Sequence, residues 1–208
     1  MFYSLQGEGR NTGRAAVFVR FAGCNLRCPF CDTEFDTYRE MTAEEIVMEI
    51  NSLGPQPSVL SPQPSAVSPL VVLTGGEPTL QVDEAFVDLL HRHGYEVAME
   101  SNGTRPAPKN LDWLTVSPKV LGDKLPASGE WRQPDELKVV FDENTDPEAY
   151  LSHFSSLVFS SKPLLYLQPC DTGDAERNKT VIQACVAYIK QHPKWRLSLQ
   201  THKLIDIP

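Results

Sequence analysis

Three cysteines, Cys24, Cys28 and Cys31, stand within eight positions, directly behind the apolar run AAVFVRFA that ends at Ala22. That run is rich in β-branched and aromatic residues and is short for a helix, so it predicts a buried strand over 15–22. The spacing then puts three thiols on one loop at the end of a strand, where a parallel sheet presents its functional edge. Three thiolates can hold one inorganic cluster, and a cube of four irons held this way keeps one iron open to a further ligand. A zinc site is the other reading. It needs four protein ligands, so Cys170 or one of the five histidines would have to arrive from far along the chain.

The rest of the chain sets the frame for that loop. Its 208 residues compare with a soft prior of about 150 per domain, which predicts a single domain over 1–208 with some elaboration. The elaboration is visible: GPQPSVLSPQPSAVSP, at 54–69, holds five prolines and four serines, which suits a surface insertion and neither a helix nor a central strand. Further strands are predicted over 70–74, 95–100, 114–117, 136–141, 164–168 and 196–200, and helices over 42–53, 82–93 and 179–191. Strands alternating with helices or long loops favour a parallel sheet, and an incomplete TIM-type barrel of about six parallel strands with few helices fits this length better than a full one. The fold class is α/β.

Composition bounds the partners. With 19 basic against 27 acidic residues the net charge is −8, which repels a phosphate backbone, so no nucleic acid is expected. No apolar run approaches the roughly 18 residues of a membrane span, so no membrane partner is expected either. The N-terminal MFYSLQGEGR has no secretory pattern, which predicts a cytoplasmic protein, and five cysteines are too sparse for a disulfide scaffold. Cys185, on the apolar side of a predicted helix, reads as a small hydrophobe, as does the thiol of Cys170.

A second signal is Thr74-Gly75-Gly76-Glu77-Pro78 at the end of the predicted strand LVVLT. Two glycines let a backbone come close to a ligand, and they serve a tight turn equally well. Arg20 lies four residues before Cys24 and so near the same edge, where it can meet an anion or form a surface ion pair.

The cysteine spacing with an aromatic residue, Phe30, before the third cysteine resembles the radical S-adenosylmethionine enzymes, and the GGE turn resembles that superfamily's contact with the methionine end of the cofactor. The resemblance implies that Cys24, Cys28 and Cys31 ligate a 4Fe-4S cluster, that its open iron takes the amino and carboxylate groups of S-adenosylmethionine, and that electron injection yields a 5'-deoxyadenosyl radical. It also implies that Phe30, Cys31 and Asp32 line the nucleoside and that Gly76 meets the methionine.

Over nearly the whole chain the resemblance narrows to the 7-carboxy-7-deazaguanine synthases. It is carried by Ser4-Leu-Gln-Gly-Glu-Gly9, Cys31-Asp-Thr33, Glu100-Ser-Asn-Gly-Thr104, Ser117-Pro-Lys119, Gln168-Pro-Cys-Asp171 and Gln200-Thr-His-Lys203 running to Pro208. That family is a lyase of queuosine biosynthesis and deazapurine metabolism. It converts 6-carboxy-5,6,7,8-tetrahydropterin to 7-carboxy-7-deazaguanine with loss of ammonia, using the cluster, S-adenosylmethionine and magnesium. The resemblance implies that Leu5, Gln6, Gly7, Arg20, Thr74, Glu100, His202 and the terminal Pro208 bind the pterin. Ser117, Pro118 and Lys119, with Gln168, Pro169, Cys170 and Asp171, would take the ribose and adenine, and Thr33 would take magnesium. A reducing partner such as flavodoxin and a homodimer are implied as well. ESNGT replaces the more familiar ETNG, one hydroxyl residue for another. Two rival classes share part of the pattern: a radical enzyme that activates a glycyl-radical protein, which does not account for the Gln-Gly-Glu-Gly start, and a non-enzymatic metal-binding module.

Overall fold

A computed structural model describes residues 1–31, 33, 37–55, 68–119, 132–155 and 162–208, with no account of the side chains at 153–155. Asp32 and most of the expected insertion, 56–67, lie outside the described residues.

Among the described residues eight strands form one sheet in chain order: β1 (Phe2–Leu5), β2 (Ala15–Phe21), β3 (Leu70–Gly75), β4 (Glu96–Ser101), β5 (Trp113–Val116), β6 (Glu136–Phe141), β7 (Leu164–Pro169) and β8 (Arg196–Leu197). β1 runs antiparallel to β2, and every later neighbour pair is parallel. Among the described residues five α-helices accompany them: α1 (Ala43–Leu53), α2 (Glu84–Arg92), α3 (Pro147–Ser155), α4 (Ala175–Gln191) and α5 (Thr201–Leu204). Among the described residues β1 and β8 do not pair, so the barrel stays open. β2 to β7 are the six substantial parallel strands, and β8 is two residues long where 196–200 was expected.

Local chemistry starts the helices where the fold needs them. Thr42 and Glu45 form a reciprocal capping box on α1, Asp83 accepts the Phe86 N–H at 2.9 Å to open α2, and Asp174 accepts the Arg177 N–H at 2.7 Å to open α4. The last cap starts α4 four residues before the expected 179.

The strands carry two faces by their period of two. Val71, Leu73, Val97, Met99, Leu114, Leu137, Val139 and Leu167 belong to the main core, packed with Val47 and Ile50 of α1, Val87 and Leu90 of α2, and Val181 and Cys185 of α4. The opposite face is apolar only at one end, where Ala16, Leu70, Val72 and Ala98 pack with Phe18 and Trp113. Toward the C-terminal ends of the strands that face turns polar, with Arg20, Thr74, Glu100, Lys138 and Gln168, and there it lines a cavity. Among the described residues no helix is long and apolar enough to cross a membrane.

Candidate active site

The cavity has a volume of about 480 Å³. It is bounded by the loop after β2, by the ends of β3 to β7, by the N-terminal loop after β1 and by the C-terminal segment. Leu5, Gln6, Gly7, Arg20, Phe30, Thr33, Thr74, Gly76, Glu100, Ser117, Lys119, His202 and Pro208 all lie on its wall, as do Gln168 to Asp171 and the three clustered cysteines. Pro118 is buried between two wall residues and does not line it.

Backbone contact fixes the cysteine loop. The Gly76 N–H donates to the Phe21 carbonyl at 2.8 Å, and the Glu77 N–H donates to the Gly23 carbonyl at 2.9 Å. The ends of β2 and β3 are so close that a Cβ on Gly76 would lie 1.9 Å from the Gly23 oxygen. Glycine is therefore a packing requirement here, whatever the turn does for a ligand.

The five cysteines are free thiols, Cys24 and Cys28 half-buried and Cys31 exposed. The Leu26 N–H donates to the Cys24 sulfur at 3.4 Å, and the side-chain amide of Asn102 approaches the same sulfur at 3.8 Å. Burial pushes the Cys28 thiol up, the Lys119 ammonium pulls it down, and the neighbouring Cys31 and Cys24 push it up again. Cys28 therefore senses both of the other thiols of the loop. Among the described residues no three His, Cys, Asp or Glu side chains converge on one point, so the fit of a metal group is judged on donor chemistry. Three unpaired thiols on one loop, N–H groups aimed at one sulfur and a nearby ammonium fit a cluster held by three thiolates.

Lys119 spans this end of the cavity. Its ammonium donates to Ser117 Oγ at 2.7 Å and lies 5.9 Å from the Phe30 ring centre, and burial, followed by the charge of Lys138, depresses its pKa. At the mouth, the Arg20 guanidinium stacks over the Phe2 ring at 5.0 Å, and Phe2 is itself stacked on Phe18. An arginine fixed by stacking presents its N–H fork without needing a carboxylate to orient it.

The two ends of the chain meet over the other side. The Thr201 N–H and hydroxyl both donate to the Gly7 carbonyl at 3.0 Å, and Ser4 Oγ donates to the Pro208 carbonyl at 2.8 Å. His202 packs on Gly7 so closely that a Cβ there would be 2.1 Å from Nδ1. Lys203 pairs with Asp171 at 2.8 Å; that hydrogen bond, then those from the Gly173 N–H and Asn178, hold the Asp171 carboxyl well below the usual range.

Sequence reasoning missed a buried charge group between these regions. Lys138 contacts Glu8 and lies 3.0 Å from Glu100. Burial alone would raise the Glu8 carboxyl, but the charge and hydrogen bond of Lys138, with help from Gln200 and His202, bring it down to about 2. Glu136, on the same face of β6, is fully buried; Oε2 accepts the Arg10 N–H at 3.0 Å, Oε1 has no hydrogen-bond partner among the described residues, and burial followed by the charge of Glu100 raises the carboxyl to about 7. The available signal was ELKVVF itself, a buried strand with two charges spaced to share a face.

Comparison with known proteins fits this geometry. Residues 18–120 match the Radical SAM superfamily. The whole chain is 45% identical to 96% of the 7-carboxy-7-deazaguanine synthase of Bacteroides thetaiotaomicron, and 42% identical to 97% of that of Nitratidesulfovibrio vulgaris. The crystal structure of QueE from Escherichia coli superposes with a TM-score of 0.69 at 26% identity, covering 96% of this chain and 91% of the other. The open parallel sheet, the three-cysteine loop at its edge and full-length identity at this level lead to one assignment: the chain belongs to the 7-carboxy-7-deazaguanine synthase family of the radical SAM superfamily.

Proposed function

We propose that this chain converts 6-carboxy-5,6,7,8-tetrahydropterin to 7-carboxy-7-deazaguanine with release of ammonia, as a radical lyase of queuosine and deazapurine biosynthesis. The observation that carries the reading is the shared cavity: the cysteine loop and the set Gln6, Arg20, Thr74 and Glu100 line one space of about 480 Å³. When bound, the 4Fe-4S cluster and S-adenosylmethionine supply the radical that starts the reaction. Cys24, Cys28 and Cys31 would hold the cluster, and Gly76, Ser117, Lys119 and the 168–171 segment would hold the nucleotide.

The protein's own part is binding, orientation and exclusion of water. Arg20 is a stacked cation suited to the pterin carboxylate. The carboxylate of Glu100 and the amide of Gln6, 3.3 Å apart, offer the acceptor and mixed donor-acceptor pattern that the ring's amide and amino edge requires. The C-terminal segment, with His202 on Gly7, covers the substrate side and shields it from water. Thr33, whose residue lies on the wall, would offer its hydroxyl to a magnesium ion, which takes few protein ligands and would supply positive charge beside the substrate. We read 1–208 as one domain, working as a homodimer in the reducing cytoplasm with a reductant such as flavodoxin; free thiols suit that compartment.

The test is direct. Anaerobically reconstituted protein is incubated with the carboxytetrahydropterin, S-adenosylmethionine, reductant and magnesium, and the deazaguanine is sought by mass spectrometry. Absence of product while the cluster is intact and S-adenosylmethionine is cleaved would remove the substrate assignment and leave the superfamily chemistry.

A further inference from the structure

Lys138 occupies a place at the cavity that none of the motifs explains. It projects from the middle of β6 on the face opposite Leu137 and Val139, and its side chain is only 5% exposed. Its ammonium lies between Glu100 Oε2, at the end of β4, and Glu8 Oε2, in the N-terminal loop. The second oxygen of Glu8 accepts from Gln168 at 3.1 Å and from Gln200 at 3.0 Å, and that of Glu100 accepts from Gln6. One continuous chain of hydrogen bonds therefore joins three strands, β4, β6 and β7, with the N-terminal loop and the C-terminal segment.

We propose that Lys138 is a positioning residue for substrate: it fixes the Glu100 carboxylate as the acceptor that recognises the amide and amino donors of the pterin ring. The proposal rests on the activity proposed above and adds a residue to it. The physical argument is electrostatic. Two carboxylates and one ammonium lie together largely withdrawn from the surface, with side chains 18%, 21% and 5% exposed at Glu8, Glu100 and Lys138, and Glu136 adds a third acid on β6 while Lys119 and His202 approach from the other walls. Burial and the nearby charge of Glu8 both push the Glu100 carboxyl up, and Lys138 is the strongest influence holding it down. Without that ammonium the charge of Glu8 and burial both act against the Glu100 carboxylate, and Glu100, already the weaker acid, takes the proton. A protonated Glu100 would present a donor to the donor edge of the ring.

The experiment is the KM for the carboxytetrahydropterin against pH, with kcat measured alongside, in cluster-loaded enzyme. Lys138→Met is expected to raise KM about tenfold near neutral pH, the scale of one hydrogen bond to a charged group, with a smaller effect on kcat. The increase shrinks as pH rises, because alkali restores the Glu100 charge. Lys138→Arg keeps the cation and recovers most of the loss. Glu8→Gln moves the KM inflection the other way, to lower pH, because it removes a like charge and leaves Lys138 to Glu100 alone, and it carries the test if circular dichroism shows Lys138→Met to be unfolded. A folded Lys138→Met enzyme on the wild-type KM curve, or an inflection moved upward by Glu8→Gln, overturns the role of Lys138 alone. A wild-type enzyme that cleaves S-adenosylmethionine and never turns over the pterin overturns the activity itself, and this role with it.

Discussion

The carboxylate of Glu77 lies wholly inside the protein and accepts the backbone N–H of Asn102 at 2.7 Å. It also accepts from the Thr79 N–H and hydroxyl and from Ser101 Oγ, so the acid of the glycine-glycine-glutamate turn is spent on protein donors. Asn102, held in this way, turns its side-chain amide toward the Cys24 sulfur and to Asn25 Oδ1 at 3.0 Å. Glu77 thus ties the end of β3 to the loop after β4 and, through it, to the cysteine loop.

Replacing Glu77 by Gln puts an amide donor against groups that are already donors. We expect a loss of about 1–3 kcal/mol in stability and weaker retention of iron. Chemical denaturation of cluster-free protein and iron content after gel filtration measure the two. A variant that melts with the wild type refutes the tie.

Gly76→Ala forces its methyl group onto the Gly23 carbonyl and must part β3 from the cysteine loop. Cluster occupancy should fall steeply. Gly13→Ala is the control: its φ of 85° strains any side chain by roughly 1 kcal/mol, but nothing lies within 4 Å of the new Cβ, so iron content should hold. Equal iron in both variants would mean that the close approach at Gly76 does not shape the loop.

Arg20→Met removes the stacked cation at the mouth. Loss of a charge-assisted hydrogen bond of about 1.5–3 kcal/mol corresponds to a KM for the pterin raised roughly tenfold to a hundredfold. Arg20→Lys should fall between, because a lysine keeps the charge and loses the planar stack on Phe2. Steady-state kinetics decide it, and an unchanged KM in Arg20→Met would remove the residue from the site.

Glu136 and Glu8 should leave opposite marks on stability against pH. The Glu136 carboxyl is raised from 4.5 to about 7, so its contribution is complete below 4.5 and is lost as pH climbs through about 7. Glu8 is lowered from 4.5 to about 2, so its contribution is present above 4.5 and is lost as pH falls toward 2. Glu136→Gln should flatten the neutral limb, gaining on the order of 1–3 kcal/mol on wild type by pH about 7. Urea titrations at a series of pH values check this, and parallel curves for the two proteins would contradict it.

Much of this architecture was legible in the sequence, because buried parallel strands announce themselves as short apolar runs, as LVVLT and ELKVVF do. β1 was not, since FYSL is short and sits beside the Gln-Gly-Glu-Gly motif, which drew the reading toward binding. α3 also escaped, its amphipathic pattern being weak, as did the polar first turn of α4, AERN, which only the Asp174 cap makes helical. At the cavity, residues inside motifs were accessible to reasoning; Glu77 and Glu8 were seen within theirs but given no separate task. Lys138 could not be placed, because its partners stand 130 and 38 residues away and only the sheet brings them together.

The hydrogen bonds that fasten the N-terminal loop reach different parts of the fold, among them Gly9 to Ser198, Arg10 to Glu136 and Glu8 to Lys138. Detachment of this loop and dispersal of the pocket's charge balance are therefore a single thermodynamic event. The amide protons of Gly9 and Arg10 should exchange with solvent deuterium at one common opening rate, and a bound pterin should slow both together.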